Sequence, residues 1–149
     1  MWCRLIAVAI IALASASAMA EETVKVGLIL PMTGAFTTTG KQVEAGARFY
    51  MQQNGATVDG RKIELILRDD AGIADNSRRI AQELLARDKV NIIAGFGLTP
   101  IALAVAPLAT ETKTPMVVMA AATAIVTESS PYIVRSSFPQ AAPVVIIAD

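Results

Sequence analysis

Beyond its first 20 residues the chain alternates between two hydrophobic periods. Val24–Leu30 is short, apolar and rich in β-formers, which predicts a buried strand. In Lys41–Asn54 the residues Val43, Ala47 and Tyr50 fall at helical spacing, and Asn54-Gly55 reads as a stop. Asp59-Gly60 marks a turn, and Ile63, Leu65 and Leu67 alternate along a second strand, Lys62–Arg68. After the loop Asp69–Gly72, a helix is expected over Asp75–Asp88. Ile80, Ala81, Leu84 and Leu85 form its inner face, with Asp75 or Ser77 as cap. Val90–Ala94 is a third strand. Thr99-Pro100 opens the next helix, Thr99 as cap and Pro100 at the first position, and that helix is expected to end between Pro107 and Glu111. Met116–Met119 and Ile133–Arg135 complete the strands, and Pro139 starts a last helix. Strand and helix in alternation with short links predict right-handed crossovers and an α/β fold, a parallel sheet with helices on both faces. Near-continuous apolar strands agree, because such a sheet is buried on both sides.

The amino terminus follows a different rule. Arg4 precedes an apolar core, Leu5–Leu13, and Ala18-Met19-Ala20 is a small-x-small site ahead of Glu21-Glu22. This is the layout of a secretory signal peptide over residues 1–20, with an uncleaved anchor as the alternative. Cleavage would remove Cys3, the only cysteine, and there is no histidine. The remaining chain, residues 21–149, has a formal charge of −1. No basic footprint for nucleic acid and no like-charge run for a membrane surface is present. Hydrophobic residues make up 54% of the 149, enough for a packed core.

The loop after the first strand, Pro31–Lys41, invites comparison with a phosphate-binding loop. It fails twice: five residues separate Gly34 from Gly40, and Gln42 stands where a hydroxyl should bind magnesium. Gly95-x-Gly97 lacks the third glycine of a dinucleotide motif. Without His or Cys beyond Cys3, nucleophile activation and His/Cys metal sites have no residues to use. Asp69-Asp70 is the one carboxylate pair, and adjacent residues at a strand end point to opposite faces. Capping of nearby N–H groups suits them better than shared acid–base work. No catalytic residue, metal or cofactor is expected.

In an open parallel sheet, ligands bind outside the carboxyl ends of the strands. The loops there are rich in Gly, Ala and Thr, poor in charge, and carry Phe36, Phe96 and Phe138. They suggest an uncharged pocket for a small ligand with an apolar body. Thr99 stands at a helix start, where free N–H groups favour an anion such as a carboxylate. Thr123 follows Ala120-Ala121-Ala122, whose backbone lets a ligand come close. Capping of the turn Thr123–Glu128 is an equal account of Thr123, as capping is of Thr99.

Six motifs then occur in order: Val24–Gly34 (VKVGLILPMTG), Gly60–Leu65 (GRKIEL), Arg68-Asp-Asp70, Ala104–Leu108 (AVAPL), Ala120–Thr123 (AAAT) and Tyr132–Arg135 (YIVR). Together they resemble the amino-terminal lobe of the Leu/Ile/Val-binding protein family, periplasmic solute-binding proteins of ABC importers. The resemblance implies a two-lobed, non-catalytic, monomeric receptor that closes on amino acids, amides or aromatic acids and delivers them to a membrane permease. It carries ligand-binding roles onto Thr99, Ala121 and Thr123, to which the composition of the strand-end loops adds Phe36 and Phe96 as apolar wall. Family members run well over twice this length, so the resemblance also implies a lobe that is incomplete at its carboxyl end. Two other readings stay open: a stand-alone flavodoxin-like domain acting as enzyme or nucleotide binder, and a sensing lobe for a signalling partner.

Overall fold

A computed structural model describes residues 23–139. The expected signal peptide and the helix beyond Pro139 lie outside these residues. The element order is β1 (Thr23–Leu30), α1 (Thr37–Asn54), β2 (Thr57–Val58), β3 (Arg61–Asp69), α2 (Ala74–Glu83), β4 (Ile92–Gly95), α3 (Thr99–Thr112), β5 (Met116–Val118), α4 (Ile125–Glu128) and β6 (Ile133–Arg135). The strands form one sheet in the order β2-β3-β1-β4-β5-β6. All pairings are parallel except that of the two-residue β2, which runs antiparallel to β3 at the edge. The sheet is therefore mixed where a purely parallel one was expected, because the Asp59-Gly60 turn folds β2 straight back onto Arg61 and Lys62.

Alternate residues of each strand feed two cores. Ile29, Ile93, Met116, Val118 and Ile133 point to one face, where they meet Ile80, Ala81 and Leu84, then Ile101, Ala102 and Val105 of α3, and Val126 of α4. Leu28, Leu30 and Ala94 point to the other, against Val43 of α1. Burying one such aliphatic side chain contributes about 1.5–3 kcal/mol. The first face thus holds most of the apolar stabilisation.

Several helix ends differ from expectation. The helix expected over Asp75–Asp88 is α-helical to Glu83 and then widens into a π-helical turn, Leu84–Asp88, closed by left-handed Lys89. Its cap is Ile73, with no side-chain bond, so neither Asp75 nor Ser77 caps it. The α3 helix runs through Pro107 to Thr112. Pro107 is exposed, and the buried Leu108 and Ala109 hold the last turn on the core despite the missing N–H.

Candidate functional site

The parallel strands bring the loops after β1, β3, β4, β5 and β6 to one edge of the sheet. The strand order reverses at β1, with β3 on one side and β4 on the other, and such a switch point opens a crevice between diverging loops.

Neighbouring loops along this rim are tied to one another. Asp69 Oδ1 accepts from the N–H groups of Met32 (2.8 Å), Thr33 (3.3 Å) and Ala71 (2.8 Å), and Oδ2 accepts from Thr33 Oγ1 (2.7 Å). Desolvation pushes the Asp69 carboxyl up, but these four bonds outweigh it and hold the group below its ordinary range. Asp70 is fully buried and accepts from Gly72 N–H (2.8 Å) and Ser77 Oγ (2.7 Å). Both carboxylates therefore brace loops.

The next link crosses from β1 to β4. Phe96 N–H donates to Ile29 O at 3.0 Å, while Met119 and Ala121 N–H donate to Gly95 O (2.8 Å) and Phe96 O (3.0 Å). Gly95 and Phe96 make this turn with φ of 115° and 65°. A Cβ on Gly95 would lie 2.2 Å from Ile29 O, so only glycine fits there.

The structure separates the five expected site residues. Thr99 and Thr123, 24 positions apart in sequence, meet through their hydroxyls at 2.8 Å, both half-buried. Neither hydroxyl caps a helix. The cap of α3 is Leu98 and that of α4 is Ala124, both without side-chain bonds. A pair of hydroxyls uses one O–H in its mutual bond, which leaves one O–H and several lone pairs for a third group. Ala121 is buried and its N–H is taken by Phe96, so what it can offer is its carbonyl. Phe36 is 44% exposed, and a Cβ on Gly72 would sit 3.3 Å from its ring and 4.0 Å from Leu98 Cδ1. Phe36 and Leu98 thus flank the Gly72 backbone as an apolar rim.

Phe96 departs from expectation. Its side chain is fully buried in the larger core and presents no face to the rim. The left-handed turn explains this: the positive φ carries the side chain inward and leaves the backbone to link the loops. Phe138 is in the loop after β6 and is 86% exposed.

Sequence reasoning gave no role to Arg135, which ends β6 and donates through Nη1 to Ala122 O and Nη2 to Thr123 O. The available signal was a single cation closing an otherwise apolar strand. An apolar groove of about 270 Å³ is lined by Gln82, Leu85, Ala86, Leu108 and Thr112. It lies at the carboxyl ends of the helices, the opposite edge of the sheet from the rim. Among the described residues there is no cluster of His, Cys, Asp and Glu able to hold a metal, and no helix long and apolar enough to cross a membrane.

Known proteins resemble this chain along nearly its whole length. The sequence profile described as "Periplasmic binding protein" matches residues 23–147. Leu/Ile/Val-binding protein homolog 6 of Brucella abortus is 43% identical over 136 residues, covering 90% of this chain and 34% of that protein. A solute-binding protein of an ABC transporter from Rhodopseudomonas palustris BisB5, solved with 3,4-dihydroxybenzoic acid, is 60% identical with a TM-score of 0.84. The match covers 85% of this chain and 35% of that one. A second R. palustris solute-binding protein, solved with 4-hydroxybenzoate, is 41% identical with a TM-score of 0.80, covering 85% and 36%. The chain spans about a third of the length of these relatives. With the profile covering all the described strands and helices, the chain belongs to the periplasmic binding protein family.

Proposed function

We propose that this chain is the amino-terminal lobe region of a solute receptor for an ABC importer, and that its ligand is a hydroxylated aromatic acid. The observation that carries the reading is the Thr99–Thr123 hydroxyl pair at the strand ends, beside the apolar Phe36–Leu98 rim. A carboxylate placed against the two hydroxyls accepts from both once it displaces their mutual bond, and the amino-terminal N–H groups of α3 add positive field. An aromatic body is accommodated by Phe36, Gly72 and Leu98.

The choice between ligand classes rests on charge. A zwitterionic amino acid needs a carboxylate to face its ammonium, and Asp69 and Asp70 at this edge are already engaged in bracing loops. A benzoate needs none. Two relatives, at 60% and 41% identity, were solved with hydroxybenzoates, which supports the same class here. The second reading, a branched-chain amino acid, draws on the name of the Brucella relative. It requires the acidic partner to come from outside the described residues. Binding is non-catalytic in either case, and capture outside the cytoplasm followed by hand-over to a permease completes the proposed role.

Isothermal titration calorimetry on the full-length protein tests this with 3,4-dihydroxybenzoate, 4-hydroxybenzoate and leucine. We expect binding of the aromatic acids. Thr123→Val or Thr99→Val, which removes a hydroxyl at nearly constant shape, should weaken it by about 2 kcal/mol, the scale of a hydrogen bond to a charged group. Unchanged affinity in both variants refutes the assignment. Tight leucine binding with no response to the benzoates favours the second reading.

A further inference from the structure

Thr123 has no helix-capping bond to orient its side chain, yet its hydroxyl sits 2.8 Å from that of Thr99. Something must fix the backbone that carries it. Arg135 is half-buried, and its two terminal nitrogens donate to consecutive carbonyls, Nη1 to Ala122 and Nη2 to Thr123. The carbonyl of Ala122 lies in the peptide plane before the Thr123 Cα, and that of Thr123 lies in the plane after it. Holding both planes sets φ and ψ of Thr123, and with them the direction of its Cβ.

A planar guanidinium does this through two donors in fixed relation, where an ammonium offers a single movable point. The described ion pairs between side chains, those of Arg48, Arg68 and Arg79, do not include Arg135. Its fork is given to backbone. The arrangement is also economical in sequence: β6 pairs directly with β5, with Val118 opposite Arg135, so the arginine emerges beside the loop that leaves β5.

We propose that Arg135 is a positioning residue for the ligand site: it holds the Ala122-Thr123 backbone so that the Thr123 hydroxyl faces Thr99, without itself touching the ligand. The inference rests on the proposed role of that hydroxyl pair in binding. It predicts that the guanidinium geometry, and not only its charge, is required.

Two measurements test it. The first needs no ligand. Hydrogen–deuterium exchange of the chain with Arg135→Gln should speed up about tenfold or more across residues 119–127, while β1, β3 and α1 keep their wild-type rates. Unchanged exchange in 119–127, or the same acceleration everywhere, overturns the proposal. The second is a double-mutant cycle on the full-length protein with 3,4-dihydroxybenzoate. Arg135→Gln alone should weaken binding about tenfold or more, and little further loss should appear when it is added to Thr123→Val. Arg135→Lys keeps the charge and should recover only part of the affinity. Additive losses, or full recovery with lysine, overturn it. If Arg135→Gln does not fold, Arg135→Lys takes its place in both measurements, with the same local acceleration and non-additivity expected. A wild-type protein that ignores the benzoates would refute the ligand reading, and the exchange experiment would still decide the role of Arg135.

Discussion

The same substitution, glycine to alanine, should have opposite signs at two positions of this fold. At Gly95 the backbone has φ of 115°, and an added Cβ would lie 2.2 Å from the carbonyl oxygen of Ile29 and 3.0 Å from its carbon. That oxygen belongs to the central strand and accepts the Phe96 N–H, so it cannot swing away as a side chain would. Forcing alanine into this region costs about 1–3 kcal/mol, and the overlap adds about 1–3 kcal/mol. The sum, about 4 kcal/mol, is a large share of the ~5–15 kcal/mol that separates folded from unfolded domains. At Gly46, inside α1, a Cβ would meet nothing within 4 Å. There the gain in helix propensity should stabilise by ~0.5–1 kcal/mol. Urea denaturation of wild type and both variants, followed by far-ultraviolet circular dichroism, measures the two effects. A loss below about 1 kcal/mol for Gly95→Ala would refute the strained, close-packed turn that sets the β4 end of the rim.

Three further outcomes are expected. The Asp69 carboxyl has its pKa lowered from 3.8, so its contribution to stability is complete above that value and is lost as pH falls through the lower folded value. Asp69→Asn should therefore flatten the stability profile on the acid side of 3.8, as read by urea midpoints; an unchanged slope contradicts the bonding described. Ser77→Ala leaves the buried Asp70 with the Gly72 N–H alone of its two described donors and should cost about 1–3 kcal/mol, whereas a neutral result would mean that water replaces the hydroxyl. Phe36→Ala should weaken binding of an aromatic acid about 3–10-fold while shifting the unfolding midpoint little, because its ring is half-exposed; equal affinity removes Phe36 from the site.

The strands were legible because buried parallel strands write apolar runs that few other structures produce. All five expected strands and the rim they create are present. What escaped notice depended on geometry that residue types do not encode. The helix starts at Ala74 and Thr99 follow caps with no side-chain bond, so a search for Ser, Thr or Asp caps placed the first start a residue late and gave Thr99 a role it does not fill. Phe96 looked like pocket wall because it follows a strand end, but its positive φ turns the ring into the core. Thr99 and Thr123 were each legible as hydroxyls at strand ends; their meeting needed the register of β4 against β5. Arg135 stayed unassigned because its partners are carbonyls, which every residue carries and no sequence marks.

The strand-end rim, through Thr99 and Thr123, is proposed as one wall of a ligand clamp. A crystal structure of the full-length protein with 3,4-dihydroxybenzoate tests it most directly. Ligand oxygens are expected within about 3 Å of both threonine hydroxyls, with the ring beside Phe36 and Leu98. Ligand density in the groove between Leu85 and Leu108, or anywhere away from the strand ends, would contradict it.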